Sequence, residues 1–159
     1  MILVRHAEKD TAGDPKDPGL SEAGRGRARA LARLLSRSRA SHLFASELKR
    51  TQETLAPLAE ELGVEIEILP AGKAQDLAAR LAALPAGSVS VVAGHSNTVP
   101  ALIAALGGEA RGLETTPQGP VIPDRDHGRL YVLTLPPAAP GAPAGRKSAL
   151  LELRYGDGD

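Results

Sequence analysis

Four side chains in this sequence have the types and positions to handle an anion: Arg5, His6, Arg50 and His95. Arg5 and His6 come straight after the apolar run Ile2-Leu3-Val4, and Glu8 follows two residues later. Arg50 falls in the first turn or so of a helical pattern that follows the short apolar stretch His42–Ala45. His95 lies between an apolar run and the start of another helical pattern. A guanidinium offers forked hydrogen bonds to phosphoryl oxygens, and an imidazole nitrogen without a proton can attack phosphorus. Two of each around one pocket would suit a phosphoryl group.

Such convergence requires the four to lie at one end of a sheet. The apolar runs at residues 2–4, 42–45 and 88–93 read as buried parallel strands. Ligands of open α/β sheets bind outside the carboxyl ends of their strands. Helical patterns alternate with these runs. The first begins at Leu20-Ser21 with Ser21 as N-cap, and Gly24, Ala28, Leu31 and Leu35 share one of its faces. Arg25, Arg29 and Arg33 line another face and read as solvated. The second begins at Ser46 and ends at Gly63, with Pro57 expected to kink or interrupt it. Residues 64–69 suggest a half-exposed strand near a sheet edge, and residues 76–84 an amphipathic helix. Asn97 reads as the N-cap of a helix running to Leu106. Helix N-termini beside the pocket add N–H groups and positive dipole ends.

Residues 107–128 show no periodicity and read as a long loop, a kind more often functional than idle. Two closing strands are expected at residues 130–135 and 149–155, the second following a mobile Pro/Ala/Gly stretch at residues 136–145. The pattern predicts one α/β domain over residues 1–159, a three-layer α/β/α arrangement. Its central sheet is mostly parallel, has helices on both faces and is closed by an antiparallel element.

Composition fits a globular domain of this kind, with 42% apolar and 24% charged residues in 159. Lys plus Arg and Asp plus Glu are 19 each, which gives no global argument for nucleic acid or an anionic membrane. Aromatics at 2% weaken any case for base stacking. Cysteine is absent, which excludes thiolate chemistry and disulfides. No apolar run approaches the roughly 20 residues that span a bilayer, and no secretory signal is visible. A cytoplasmic protein is expected.

The same residues carry a resemblance. Val4 to Glu8 (Val-Arg-His-Ala-Glu) resembles the Arg-His-Gly motif of the histidine phosphatase superfamily, the phosphoglycerate mutase-like proteins. Leu20-Ser21-Glu22-Ala23-Gly24 is similar to that family's Leu-Thr-x-x-Gly helix start. Residues 46–51 resemble its Ser-x-x-x-Arg-Thr segment, followed by its usual threonine at Thr54, and Gly94-His95-Ser96 resembles its second histidine motif. Order and spacing agree across nearly the whole chain. The resemblance implies a phosphatase of the short, phosphohistidine-phosphatase-like branch, with a phosphoglycerate mutase-like fold. No cofactor is expected, and a metal held by His6, Glu8, His95 and an Asp is set aside because it would sit beside two permanent cations and the His spacings match no common zinc signature. His6 would be the nucleophile and become a phosphohistidine. Arg5, Arg50 and His95 would bind the phosphoryl oxygens, with Ser96 and Asn97 as further donors. A backbone carbonyl would hold the second nitrogen of His6.

The sequence departs from the family pattern in two places. Ala7 replaces the usual glycine, and the stretch after the third strand lacks the glutamate that many members use as general acid. Glu8 is the preferred substitute, followed by Asp14 and Asp17, then Asp124 and Asp126, with Asp76 read as a helix cap or first-turn acid. His42 and His127 read as structural. The substrate implied is a phosphomonoester or a protein phosphohistidine. A metabolite phosphatase such as an α-ribazole phosphatase, a mutase, or a phosphate-binding domain without turnover are the alternatives.

Overall fold

The computed structural model describes residues 1–135 and 148–156. The expected mobile stretch at residues 136–145 lies outside the described residues. Six strands form the main sheet: β1 (Ile2–Arg5), β2 (His42–Ala45), β3 (Ile66–Ile68), β4 (Ser90–Gly94), β7 (Arg129–Thr134) and β8 (Ala149–Arg154). Their order is β3-β2-β4-β1-β7-β8. The first four are parallel, whereas β7 runs antiparallel to β1, and β8 to β7. Two short strands, β5 (Glu114–Thr116) and β6 (Gly119–Val121), pair separately.

The helices are α1 (Glu22–Leu35), α2 (Lys49–Leu62), α3 (Ala74–Ala82) and α4 (Thr98–Ala105). Alternation along the strands sorts the core into two layers. Ile2, Val4, Leu43 and Val91 pack with Leu31 and Leu35 of α1 and with Leu55 and Leu58 of α2. Leu3, Phe44 and Val92 point the other way, toward Leu81 of α3 and Leu102 and Ile103 of α4. This is the expected three-layer α/β/α architecture, with apolar side chains of a buried sheet satisfied from both faces. Among the described residues no helix is long and apolar enough to cross a membrane.

Several expectations need correction. Helix α2 runs unbroken from Lys49 to Leu62 with Pro57 inside it. Packing of the buried Leu55 and Leu58 on either side of the proline outweighs its lost N–H bond. That helix also starts three residues later than Ser46, whose side chain is buried at the site instead. The long late loop contains the β5–β6 hairpin, turned where Thr116 Oγ1 donates to the Gly119 carbonyl at 2.7 Å and Gly119 adopts φ 113°. Three-residue strands are too short to leave a period-two signature. The exposed Arg25, Arg29 and Arg33 bear out the solvated face of α1, and β3 lies at the sheet edge as expected.

Candidate active site

Register brings the predicted residues together. Arg5 pairs with Gly94, and Ala45 with Ala93, so Arg5-His6, Ser46 and His95 leave three adjacent parallel strands at the same end. His6 N–H donates to the Gly94 carbonyl at 2.8 Å, extending that pairing beyond the strands. Gly94 itself admits no side chain: a Cβ there would lie 2.9 Å from both Thr98 Oγ1 and Val99 Cγ2. Helix α2 is tied to the same end by Thr54, whose Oγ1 accepts the Ala7 N–H at 3.0 Å and donates to the Arg50 carbonyl at 2.7 Å. A cavity of about 660 Å³ opens there, lined by Arg5, His6, Arg50, His95, Ser96 and Asn97 among others.

His6 is 5% exposed and its Nδ1 lies 2.8 Å from the Ala7 carbonyl oxygen. A carbonyl only accepts, so Nδ1 carries the hydrogen and Nε2 keeps its lone pair. Burial, with the nearby Arg5, His95 and Arg50, pulls the pKa down to about 3. His95 is likewise lowered to about 4, chiefly by burial and then by Arg50. Its Nε2 lies 3.0 Å from Ser46 Oγ, and the His6 and His95 ring centroids are 5.4 Å apart. With Ser46 donating to Nε2, His95 can present Nδ1–H to an anion while remaining neutral. Ser46 is held in turn by Thr51 Oγ1 at 2.9 Å.

Arg5 is anchored by the late chain: Nη1 donates to the Pro123 and Asp124 carbonyls at 2.8 and 3.0 Å, and Nη2 to Asp124 Oδ1 at 3.1 Å. Its buried Nε has no hydrogen-bond partner among the described residues, a donor suited to an anion's oxygen. Arg50 stands 4.0 Å from Asp17, which also accepts the Lys49 N–H. Asn97 occupies the N-cap position of α4 without capping it, so its side chain stays at the cavity.

Glu8, the preferred general acid, lines the cavity but is engaged elsewhere. Arg27 donates to it from Nε at 2.9 Å and from Nη2 at 2.7 Å. Burial opposes ionisation, yet these bonds hold the carboxyl below its usual range, so it is an anion when an acid is needed. Arg27 was hidden in the sequence because it interrupts the solvated arginine stripe from the buried side of α1. The other candidates are no freer. Asp126 is bound by Arg129 and Arg154, Asp76 pairs with Lys73 away from the cavity, and Asp14 turns back to the Lys16 N–H. Asp124 alone of them lines the cavity, as the fully exposed partner of Arg5.

His127 corrects a further expectation. It lines the cavity, with its ring centroid 5.8 Å from that of His6. Topology could have found it. A strand antiparallel to β1 must begin at the carboxyl end of β1, so residues just before β7 fall at the site.

Fold and site together define an α/β protein with a basic, imidazole-bearing anion pocket at its strand ends. The family model of the histidine phosphatase superfamily (branch 1) matches residues 1–73. That match covers 73 of the 159 residues, a little under half of the chain, and takes in Arg5, His6 and Arg50 but not His95. Phosphoserine phosphatase 1 of Hydrogenobacter thermophilus is 39% identical over 71 residues, which cover 42% of this chain and 34% of that protein. The match thus spans about a third of that relative's length. The fold is similar to that of the protein histidine phosphatase SixA complexed with tungstate. The TM-score is 0.66 and the identity 23%, with 96% of this chain and 95% of the other covered. A structure named as a phosphohistidine phosphatase SixA from Agrobacterium tumefaciens is 25% identical. Its TM-score is 0.57, over 68% of this chain and 76% of that one.

Proposed function

We propose that this protein is a phosphatase that works through a phosphohistidine on His6, with a phosphomonoester or a protein phosphohistidine as substrate. The observation that carries the reading is the His6 Nδ1 bond to the Ala7 carbonyl, which leaves Nε2 unprotonated beside two guanidiniums. The Nε2 lone pair attacks phosphorus, the bond to the leaving group breaks, and the phosphoryl group rests on His6. Water then attacks phosphorus, and the P–N electrons return to Nε2 as phosphate departs. Arg5, Arg50 and His95 hold the phosphoryl oxygens through both steps, with Ser96 and Asn97 at the rim. Such preorganised donors commonly contribute ~10²–10³-fold each. A relative named as a phosphoserine phosphatase favours the ester, and fold neighbours named as phosphohistidine phosphatases favour the phosphoramidate.

The test is turnover of p-nitrophenyl phosphate and of a phosphohistidine protein by the wild type and by His6→Ala. An acid-labile, base-stable phosphoenzyme in the wild type, with turnover lost in His6→Ala, is the expected result. Equal turnover in both would sink the His6 mechanism. Phosphate binding without turnover would make the chain a binding domain.

A further inference from the structure

A phosphoester whose leaving group is an alkoxide needs a proton donor, and every carboxylate considered for that task is engaged or absent from the cavity. Glu8 is held as an anion by Arg27, and Asp124 is paired with Arg5. Asp126 is buried between Arg129 and Arg154, and Asp17 caps the Lys49 N–H. His127 is different. Its Nδ1 lies 3.0 Å from the His6 carbonyl oxygen, an obligate acceptor, so Nδ1 carries a hydrogen. Its Nε2 has no protein partner among the described residues, in a ring that lines the cavity and sits 5.8 Å from the His6 ring. Imidazole is the side chain most able to hold and release a proton near neutrality. Glu8, itself bound by Arg27, lies close enough to feel the charge of His127, and Arg5, Arg50, Lys9, Asp124 and the neutral His6 line the same cavity.

Resting on the His6 reading above, we propose that His127 is the general acid of this site and that its substrates are phosphomonoesters with alkoxide leaving groups. In the first step, His6 Nε2 forms its bond to phosphorus and the P–O bond breaks. The electron pair stays on the leaving oxygen, which takes the proton from His127 Nε2. His127 is then neutral, with Nδ1–H still on the His6 carbonyl. In the second step water attacks phosphorus and gives a proton to His127 Nε2. The P–N electrons return to His6, phosphate leaves, and the starting state is restored. The hydrogen bond to the His6 backbone fixes the acid to the same residue that supplies the nucleophile.

The experiment compares p-nitrophenyl phosphate, whose leaving group departs without a proton, with the alkyl phosphate O-phosphoserine. Wild type, His127→Ala, His127→Asn and His6→Ala are measured on both. Asparagine keeps an N–H donor where Nδ1 sits and removes Nε2. Both His127 variants are expected to lose about 100-fold or more in kcat/KM on the alkyl phosphate, the usual range for an acid being ~10²–10⁴. In the same kcat/KM, which reports phosphoenzyme formation and not the later attack of water, they should stay within a few-fold of wild type on p-nitrophenyl phosphate. Parallel losses on the two substrates, or recovery of alkyl phosphate turnover by asparagine, would reduce His127 to a structural contact and overturn the proposal. Wild-type turnover confined to a phosphohistidine protein would overturn it while leaving the His6 mechanism standing. No phosphorylated substrate turned over at all would remove both.

Discussion

Neutral imidazoles at His6 and His95 make the stability of the fold sensitive to acid below about pH 6.5. Both rings stay neutral in the fold down to about 3 and about 4 respectively, whereas an unfolded histidine takes its second proton near 6.5. Their contribution to stability is therefore fully present above 6.5 and is lost as pH falls toward those lower values. Thermal melts at pH 7 and pH 5 are expected to show a clear drop in the wild type and a smaller one in His6→Ala. An unchanged difference between the two would contradict the buried neutral state. At this scale Arg5, His6, Arg50 and His95 were legible in the sequence, because each follows a strand whose end is marked by a change from apolar to polar residues. Glu8 was misread because its partner Arg27 is 19 residues away and looks like one more solvated arginine. His127 was missed because no periodic pattern marks the residues before it.

Among the elements, α1 shows how close packing and helix propensity compete. Its Gly24 lies against the segment that carries the nucleophile: a Cβ there would meet the Glu8 carbonyl oxygen at 2.2 Å, a backbone atom that cannot give way alone. Gly26, two residues further on and on another face of the helix, would meet nothing within 4 Å. Gly26→Ala is expected to stabilise the protein by about 0.5–1 kcal/mol through helix propensity. Gly24→Ala should destabilise it by about 1–3 kcal/mol, as overpacking does, and displace Glu8 and Ala7. Chemical denaturation of the two variants checks both signs. Opposite signs for the same substitution two residues apart are what a packing origin requires. The helix was visible in the sequence from Ser21 onward, since the capping residue and the apolar face are local properties. Ser21 does accept the Gly24 N–H at 3.1 Å. The β5–β6 hairpin and the persistence of α2 through Pro57 were not visible, because tertiary contacts decide both.

For the whole molecule, the proposed function has an anion bridge Arg5, Arg50 and the start of α4, which would tie β1, α2 and α4 together at the carboxyl end of the sheet. Inorganic phosphate should therefore raise the melting temperature. At 100 times its dissociation constant a ligand adds about 2.7 kcal/mol to folding. Arg50→Ala should remove most of that shift while leaving the melt without phosphate nearly unchanged, since among the described residues the Arg50 guanidinium is paired only with Asp17, at 4.0 Å. A phosphate titration by thermal melt checks this, and an equal shift in the variant would place the anion elsewhere.

The position of β1 has a consequence for the order of events during synthesis. Although it is made before the other described strands, β1 sits between β4 and β7, and Arg5 is clasped by Pro123 and Asp124, 118 and 119 residues later. A nascent chain that has emerged only as far as α4 holds every phosphoryl-binding side chain yet has no clasp for Arg5 and no strand on one side of β1. Contacts of such long sequence separation form late and slow folding. On the proposed function, turnover is therefore expected only once the closing strands are in place.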